Sequence, residues 1–283
     1  PSNPIPRCLV IIPAFNESAS IGAVVQEVAE LMPRFDILVI DDGSVDDTAA
    51  VVPPPARVIQ LPFNMGIGSA MQTGYRFACK HGYDVAVQVD ADGQHPPTQV
   101  SKLVDELLAG RADMIVGSRF LSTIKYRQAI SRMIGIHWLR KLIKFLTGQW
   151  ITDPTSGFRA ANKNVIHAFA HWYPDDYPEP EVILLLHRAG FTIAEVQVEM
   201  AHRQAGQTSI PFLQGLFYVI KVSAALVLDM VRRPWPKRLT PASKAPPENL
   251  TVHDTRSNAP QDRVEESQQH HSSPQTSQSI NEE

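Results

Sequence analysis

At 283 residues the chain is long enough for one large core or two small ones, and its 43% hydrophobic and 19% charged content is an ordinary globular balance. A net charge of −3 argues against a general nucleic-acid binder, which would carry a basic surplus. Cys8 and Cys79 sit in apolar stretches without metal-ligand spacing, so a disulfide framework is not expected and a reducing cytosol fits. The start, PSNPIPR, shows no apolar h-region, so no secretory signal is expected.

In chain order, CLVIIP (8–13) reads as a buried strand, and residues 18–32 place Ile21, Val24, Val25, Val28 and Leu31 on one helical stripe. Strands follow at 36–41 and 57–61, separated by the helix-breaking prolines Pro53–Pro55. The spacing predicts a helix over 66–82, a strand over 84–90, a helix carrying Val100, Leu103, Val104 and Leu107, and a strand over 113–117. This order of strand and helix predicts a mostly parallel sheet with helices on both faces. Residues 124–148 carry six Lys or Arg and no acid, with Ile130, Ile134, Trp138, Leu142 and Phe145 at helical spacing. They read as a basic amphipathic helix, or two helices broken at Gly135. Residues 162–190 read as helical apart from the loop WYPDDYPEPE, and 192–200 as a strand. The apolar helix over 210–231 is about as long as the roughly 20 residues a bilayer requires, but Lys221 and Asp229 interrupt it. Beyond Arg233 the chain is rich in Pro, Ser, Gln and charge, and 234–283 reads as a disordered polar tail.

Ligands of parallel sheets bind beyond the carboxyl ends of the strands. Those ends here are PAFNE, DDGSVDD, DADGQH and GSRF. In DADGQH, Asp90 and Asp92 are delivered with one residue between them, and with the Gln94 carbonyl they suit a hard cation such as Mg²⁺ or Mn²⁺. The alternative is a solvated Asp-Gly turn. Asp42 could accept hydrogen bonds from a base or ribose, whereas Asp46 and Asp47 suit a helix start. Glu17 could hold a ribose hydroxyl and Phe15 flank a base, or the segment is a plain strand-to-helix turn. Arg119 and Arg203 are candidate diphosphate cations because the guanidinium fork bonds two oxygens, with a surface salt bridge as the alternative for each. Gly66, Gly68 and Gly74 have the wrong spacing for a dinucleotide fingerprint, and no Walker A, HExxH or nucleophile-elbow motif is present.

The ordered set IIPAFNE, VIDDGSVDDT, LPFNMGIGSAMQTGY, VQVDADGQHPP, IVGSRF, DPTSGFRA and HRQAGQTSI resembles the family 2 glycosyltransferases of GT-A fold. Within them it is most similar to the dolichyl- or polyprenyl-phosphate mannose synthase branch and its bacterial relatives, over about residues 8–232. By composition, the apolar helix over 210–233 could with the basic stretch 124–148 meet a membrane interface, and 234–283 is the polar tail. The resemblance implies a mostly parallel α/β domain, taken over 1–209. It implies an inverting transfer from a UDP-, GDP- or dTDP-sugar, with Mg²⁺ or Mn²⁺ as cofactor. Pro13, Phe15, Glu17, Ile40 and Asp42 would line base and ribose. Asp90, Ala91 and Asp92 would form the metal and nucleotide element with Gln94, and Arg119 and Arg203 would contact diphosphate and acceptor. That branch often has a Lys where this chain has Ser209, which leaves two acceptors open: a polyprenyl phosphate, or a saccharide hydroxyl in polysaccharide assembly. A hydroxyl requires a general base, for which Asp153 and Glu181 are the candidates. A non-catalytic nucleotide-sugar-binding subunit is the reading from another class. The expected location is cytoplasmic, at the inner face of the cytoplasmic membrane, on a membrane surface or a membrane-protein partner.

Overall fold

The computed structural model describes residues 5–121, 130–175, 178–200 and 212–231. Arg203 and Ser209, the other lysines and arginines of 122–129, and the tail from 232 onward lie outside the described residues. Strands β1 (Cys8–Ala14), β2 (Asp36–Asp41), β3 (Arg57–Gln60), β4 (Val85–Gln88), β5 (Met114–Ser118), β6 (Arg159–Asn162) and β7 (Ile193–Gln197) form one sheet in the order β3-β2-β1-β4-β6-β5-β7. Six run parallel. Only β6 is reversed, antiparallel to both β4 and β5.

Burial explains the continuous apolar runs. All seven residues of β1 are buried, and its side chains alternate between two cores. Leu9 and Ile11 face one; Cys8, Val10, Ile12 and Ala14 face the other. Helices α1 (Ile21–Leu31) and α3 (Val100–Leu108) cover the Val10 face. The Ile11 face is covered by α2 (Ile67–Lys80), α4 (Ile130–Thr147), α5 (Lys163–His171), α6 (Pro178–Arg188) and α7 (Phe212–Val231).

Two elements depart from the sequence expectation. Strand β6 has no strand signal in the sequence, because RAAN offers neither β-branched residues nor alternation. The PEPE segment, expected in a loop, opens α6. Prolines fit a first turn, where their missing N–H has no intrahelical partner to lose. Of the two alternatives for the basic stretch, the unbroken helix is the one seen: α4 is continuous through Gly135 from 130 to 147. A Cβ there would lie 2.9 Å from Val219 Cγ2, so the glycine lets α4 and α7 approach closely. Among the described residues no helix is long and apolar enough to cross a membrane. Helix α7 instead commits Val222 and Leu226, both fully buried, to the core.

Candidate active site

The strand order reverses between β1 and β4, and such a switch point opens a crevice at the carboxyl rim. Asp42 follows β2, Asp90 follows β4 and Arg119 follows β5. At about 4.8 Å per strand, Asp42 lies roughly 10 Å to one side of Asp90 and Arg119 roughly 10 Å to the other.

On the β2 side a cleft of about 210 Å³ is lined by Pro13, Phe15, Asp42, Asn64, Gly66 and Ile67 among others. Phe15 is 42% exposed and presents its ring to the cleft. Asp42 is buried and accepts from the backbone N–H of Met65 and of Gly66, both at 2.8 Å, which folds the 62–66 loop over the cleft. The start of α2 is capped from outside by the chain at Pro174–Asp175. A Cβ on Gly68 would lie 2.1 Å from the Pro174 carbonyl oxygen and 2.3 Å from that of Asp175. Glu17 accepts from the Ser20 hydroxyl at 2.8 Å, and its N–H donates to Thr48 Oγ1. Ile40 is placed differently from its expected role. It is fully buried among core side chains, so its side chain offers the cleft no surface.

At the centre, Asp90 and Asp92 leave β4 on a turn closed by the Gln94 N–H, which donates to Asp92 Oδ1 at 3.0 Å. The Asp90 side chain is 37% exposed and accepts from Gln88 Nε2 at 3.2 Å. Sequence reasoning missed its second anchor, His95, although that residue closes the DADGQH motif. Its buried ring stacks on Phe158 at 4.8 Å. Nδ1 accepts from the Asp90 N–H at 3.0 Å, which puts the ring proton on Nε2, 3.4 Å from Asp90 Oδ2. Asp92 and Gln94 are half-buried, and Ala91, between the two aspartates, is buried. Among the described residues no three His, Cys, Asp or Glu side chains gather as a closed metal cage. Two carboxylates at an open rim fit the other kind of site, in which Mg²⁺-like ions take one or two carboxylates and complete their shell from substrate phosphates and water.

On the β5 side the structure joins two residues that the sequence treated separately. Arg119 Nε and Nη2 bond Asp153 Oδ2 and Oδ1 at 2.6 and 2.7 Å, and its backbone N–H donates to Oδ2 at 3.2 Å. Arg119 is 8% exposed and Asp153 is fully buried. A buried carboxylate held by a bidentate guanidinium is weakly basic and hard for a hydroxyl to reach, an environment that suits a structural partner of Arg119 better than a general base. Glu195 supports the pair from β7, accepting from the Thr152 and Asp153 N–H groups and the Thr152 hydroxyl. Burial still lifts its carboxyl above the ordinary value, against those bonds. Arg140 arrives from α4 with its guanidinium 4.4 Å above the Phe120 ring, and its Nε and Nη2 have no partner among the described residues. Glu181 is half-buried in the first turn of α6. Glu179 lies two residues earlier, about 200° round the helix, and the Asp90 charge reaches its carboxyl.

A mostly parallel sheet with one reversed strand, a base-sized cleft at the switch point and an Asp-Ala-Asp turn at the rim define a GT-A glycosyltransferase. Residues 9–169 match the family model described as glycosyl transferase family 2. The chain belongs to that family and is a glycosyltransferase. It is 33% identical over 214 residues to polyprenol monophosphomannose synthase of Mycolicibacterium smegmatis, covering 72% of this chain and 80% of that protein. It is 29% identical to undecaprenyl-phosphate mannosyltransferase of Micrococcus luteus, covering 72% and 87%. Among solved structures it resembles glucosyl-3-phosphoglycerate synthase of Mycobacterium tuberculosis, in complex with Mn²⁺, UDP and phosphoglyceric acid. The TM-score is 0.61 at 24% identity, covering 81% of this chain and 80% of that one, a likeness of fold.

Proposed function

We propose that this chain moves a sugar from a nucleotide-diphosphate-sugar to a polyprenyl phosphate, with a divalent ion held between Asp90, Asp92 and the donor diphosphate. The observation that carries the reading is the order along the rim. A base-sized cleft, an open pair of carboxylates and a zone of arginines follow one another over four strand spacings, about 19 Å. The base sits against Phe15, and the Asp42-pinned loop closes the cleft around it. Asp90, oriented by His95 and Gln88, and Asp92, shaped by the Gln94 turn, would hold the ion. A bound Mg²⁺ or Mn²⁺ would supply charge stabilisation for the leaving diphosphate.

The acceptor side is read from two features. The named relatives act on polyprenyl phosphates. A phosphate oxygen is already anionic and needs no general base, in keeping with an Asp153 that is spent on Arg119. Arg140, with two buried donors unpaired among the described residues, suits the incoming phosphate.

The same side of the molecule would meet the membrane that carries such an acceptor. Ile134, Trp138, Lys141 and Phe145 make one exposed stripe on α4, with Phe145 85% exposed. Phe217, Ile220, Val227, Leu228 and Val231 make another on α7. Trp138 Nε1 donates to Ser223 Oγ at 3.0 Å and ties the two helices together. Apolar stripes flanked by lysine suit an anionic lipid interface.

Purified protein, Mn²⁺ or Mg²⁺, a panel of UDP-, GDP- and dTDP-sugars and a short polyprenyl phosphate test the reading, with products identified by mass spectrometry. A polyprenyl-phosphate sugar is expected. A product glycosylated only on a saccharide hydroxyl overturns the acceptor, and full activity in excess chelator overturns the metal.

A further inference from the structure

Arg159 opens β6, and because β6 alone runs backwards, this first residue sits at the carboxyl rim behind Asp90. It is 2% exposed. Removing a guanidinium from water costs several kcal/mol, and hydrophobic replacements of buried charges are often neutral or stabilising, so stability alone gives little reason for an arginine here. Its hydrogen bonds are directional. Nε donates to the Ser156 carbonyl at 2.7 Å, and Nη2 donates to the Glu179 carbonyl in the first turn of α6 at 2.6 Å. Nη1 is buried and has no partner among the described residues.

Two contacts connect this side chain to the metal element. Across the sheet Arg159 pairs with Gln88, the residue whose Nε2 bonds Asp90 Oδ1. The turn leading into Arg159 presses on the same carboxylate. A Cβ on Gly157 would lie 2.8 Å from Gln88 Nε2 and 3.3 Å from Asp90 Oδ1. The charges also share one compartment. Burial is what chiefly raises the Tyr173 phenol and the Glu179 carboxyl, but the Arg159 charge pulls both down while Asp90 pushes both up.

We infer that Arg159 is a positioning residue, clamping the first turn of α6 to the 156–159 turn and thereby fixing the Asp90 carboxylate for the metal–diphosphate complex. This rests on the reading of Asp90 as part of that complex. Arg159 touches neither the ion nor the donor; it acts through the turn and Gln88.

The test measures Mn²⁺ affinity directly, from the EPR signal of free Mn²⁺ in titrations at saturating UDP, GDP or dTDP. Arg159→Gln, Arg159→Lys and Gly157→Ala are compared with the wild-type chain, and cooperative thermal melting checks each fold. Changes to residues that hold a metal ligand in place typically cost about 10–100-fold in metal affinity, and that loss is expected for folded Arg159→Gln and for Gly157→Ala. Partial recovery is expected for Arg159→Lys, which keeps the charge. A folded Arg159→Gln that binds Mn²⁺ like wild type overturns the inference. So does failure of both Arg159 variants to fold, which makes the residue purely structural, and so does unchanged affinity in Gly157→Ala. Failure of the wild-type chain to retain Mn²⁺ with any of the nucleotides overturns the metal reading instead.

Discussion

Asp92 and Asp153 are both acids beside the rim, and their surroundings assign them opposite tasks. Asp92 is half-buried at the rim, where the Gln94 N–H donates to it and closes the turn. Asp92→Ala is expected to lower transfer by on the order of 10²-fold or more, the scale lost when one transition-state stabiliser is deleted. Its melting temperature without metal should stay within a few degrees of wild type. Asp153 is fully buried against Arg119, and removing one partner of a buried pair costs about 3–5 kcal/mol. Asp153→Asn should therefore show its loss first as a lower urea midpoint, with activity following stability. The neighbouring Glu195 adds a pH dependence. Burial lifts its folded value above the ordinary 4.5, so the folded protein holds this proton to higher pH than the unfolded chain does. Its contribution to stability is complete below 4.5 and is lost as pH rises through the folded value. Urea midpoints measured from pH 4 to 7 should show that decline, and Glu195→Gln should flatten it.

At the scale of elements, the parallel half of the sheet was legible because β1, β2 and β4 are apolar runs buried on both faces. Their polar ends, PAFNE, DDGSVDD and DADGQH, with GSRF at the end of β5, marked the rim before any contact was known. What the sequence hid was short and antiparallel. The four residues RAAN carry no period-two pattern, and with β6 unrecognised, nothing placed Arg159 or Gly157 behind Asp90. His95 and the partnership of Arg119 with Asp153 were hidden for another reason: each joins residues across a turn or a connection, a relation that spacing does not encode. The loop at 172–175 belongs to the same class. It links α5 to the segment before α6 and seats its carbonyls on the first turn of α2 beside the base cleft. Gly68→Ala would force a methyl into the Pro174 and Asp175 carbonyls at distances no real contact adopts. Overpacking of this kind costs about 1–3 kcal/mol. Because the displaced backbone borders the cleft, nucleotide affinity measured by calorimetry should fall along with the melting temperature. A loss of stability with nucleotide binding unchanged would show that the loop does not shape the cleft.

Over the whole molecule the donor cleft and the exposed apolar helices lie at opposite ends of one sheet, with the carboxylate turn between them. On the proposed reading, this arrangement would let a nucleotide-sugar enter from water while an acceptor head group approaches from a lipid surface. Helix α7 divides its residues accordingly. Val222 and Leu226 are buried in the core, whereas Phe217, Ile220, Val227, Leu228 and Val231 stay exposed beside the α4 stripe. A stripe of that composition stabilises contact with a bilayer by about 25 cal/mol per Å² of apolar surface withdrawn from water. Lys141 and Lys144 on α4 add attraction to anionic lipid, about 1 kcal/mol for each charge near the surface. The chain is therefore expected to float with phosphatidylglycerol-containing vesicles and to bind neutral phosphatidylcholine vesicles more weakly, with salt eroding the difference. Phe145→Glu and Phe217→Glu change only exposed positions, so the fold and donor hydrolysis should persist while flotation falls several-fold. Transfer to a water-soluble short-chain polyprenyl phosphate should then survive, and transfer to a long-chain acceptor in vesicles should not. If the double variant floats as well as wild type, the apolar stripes are not the membrane contact.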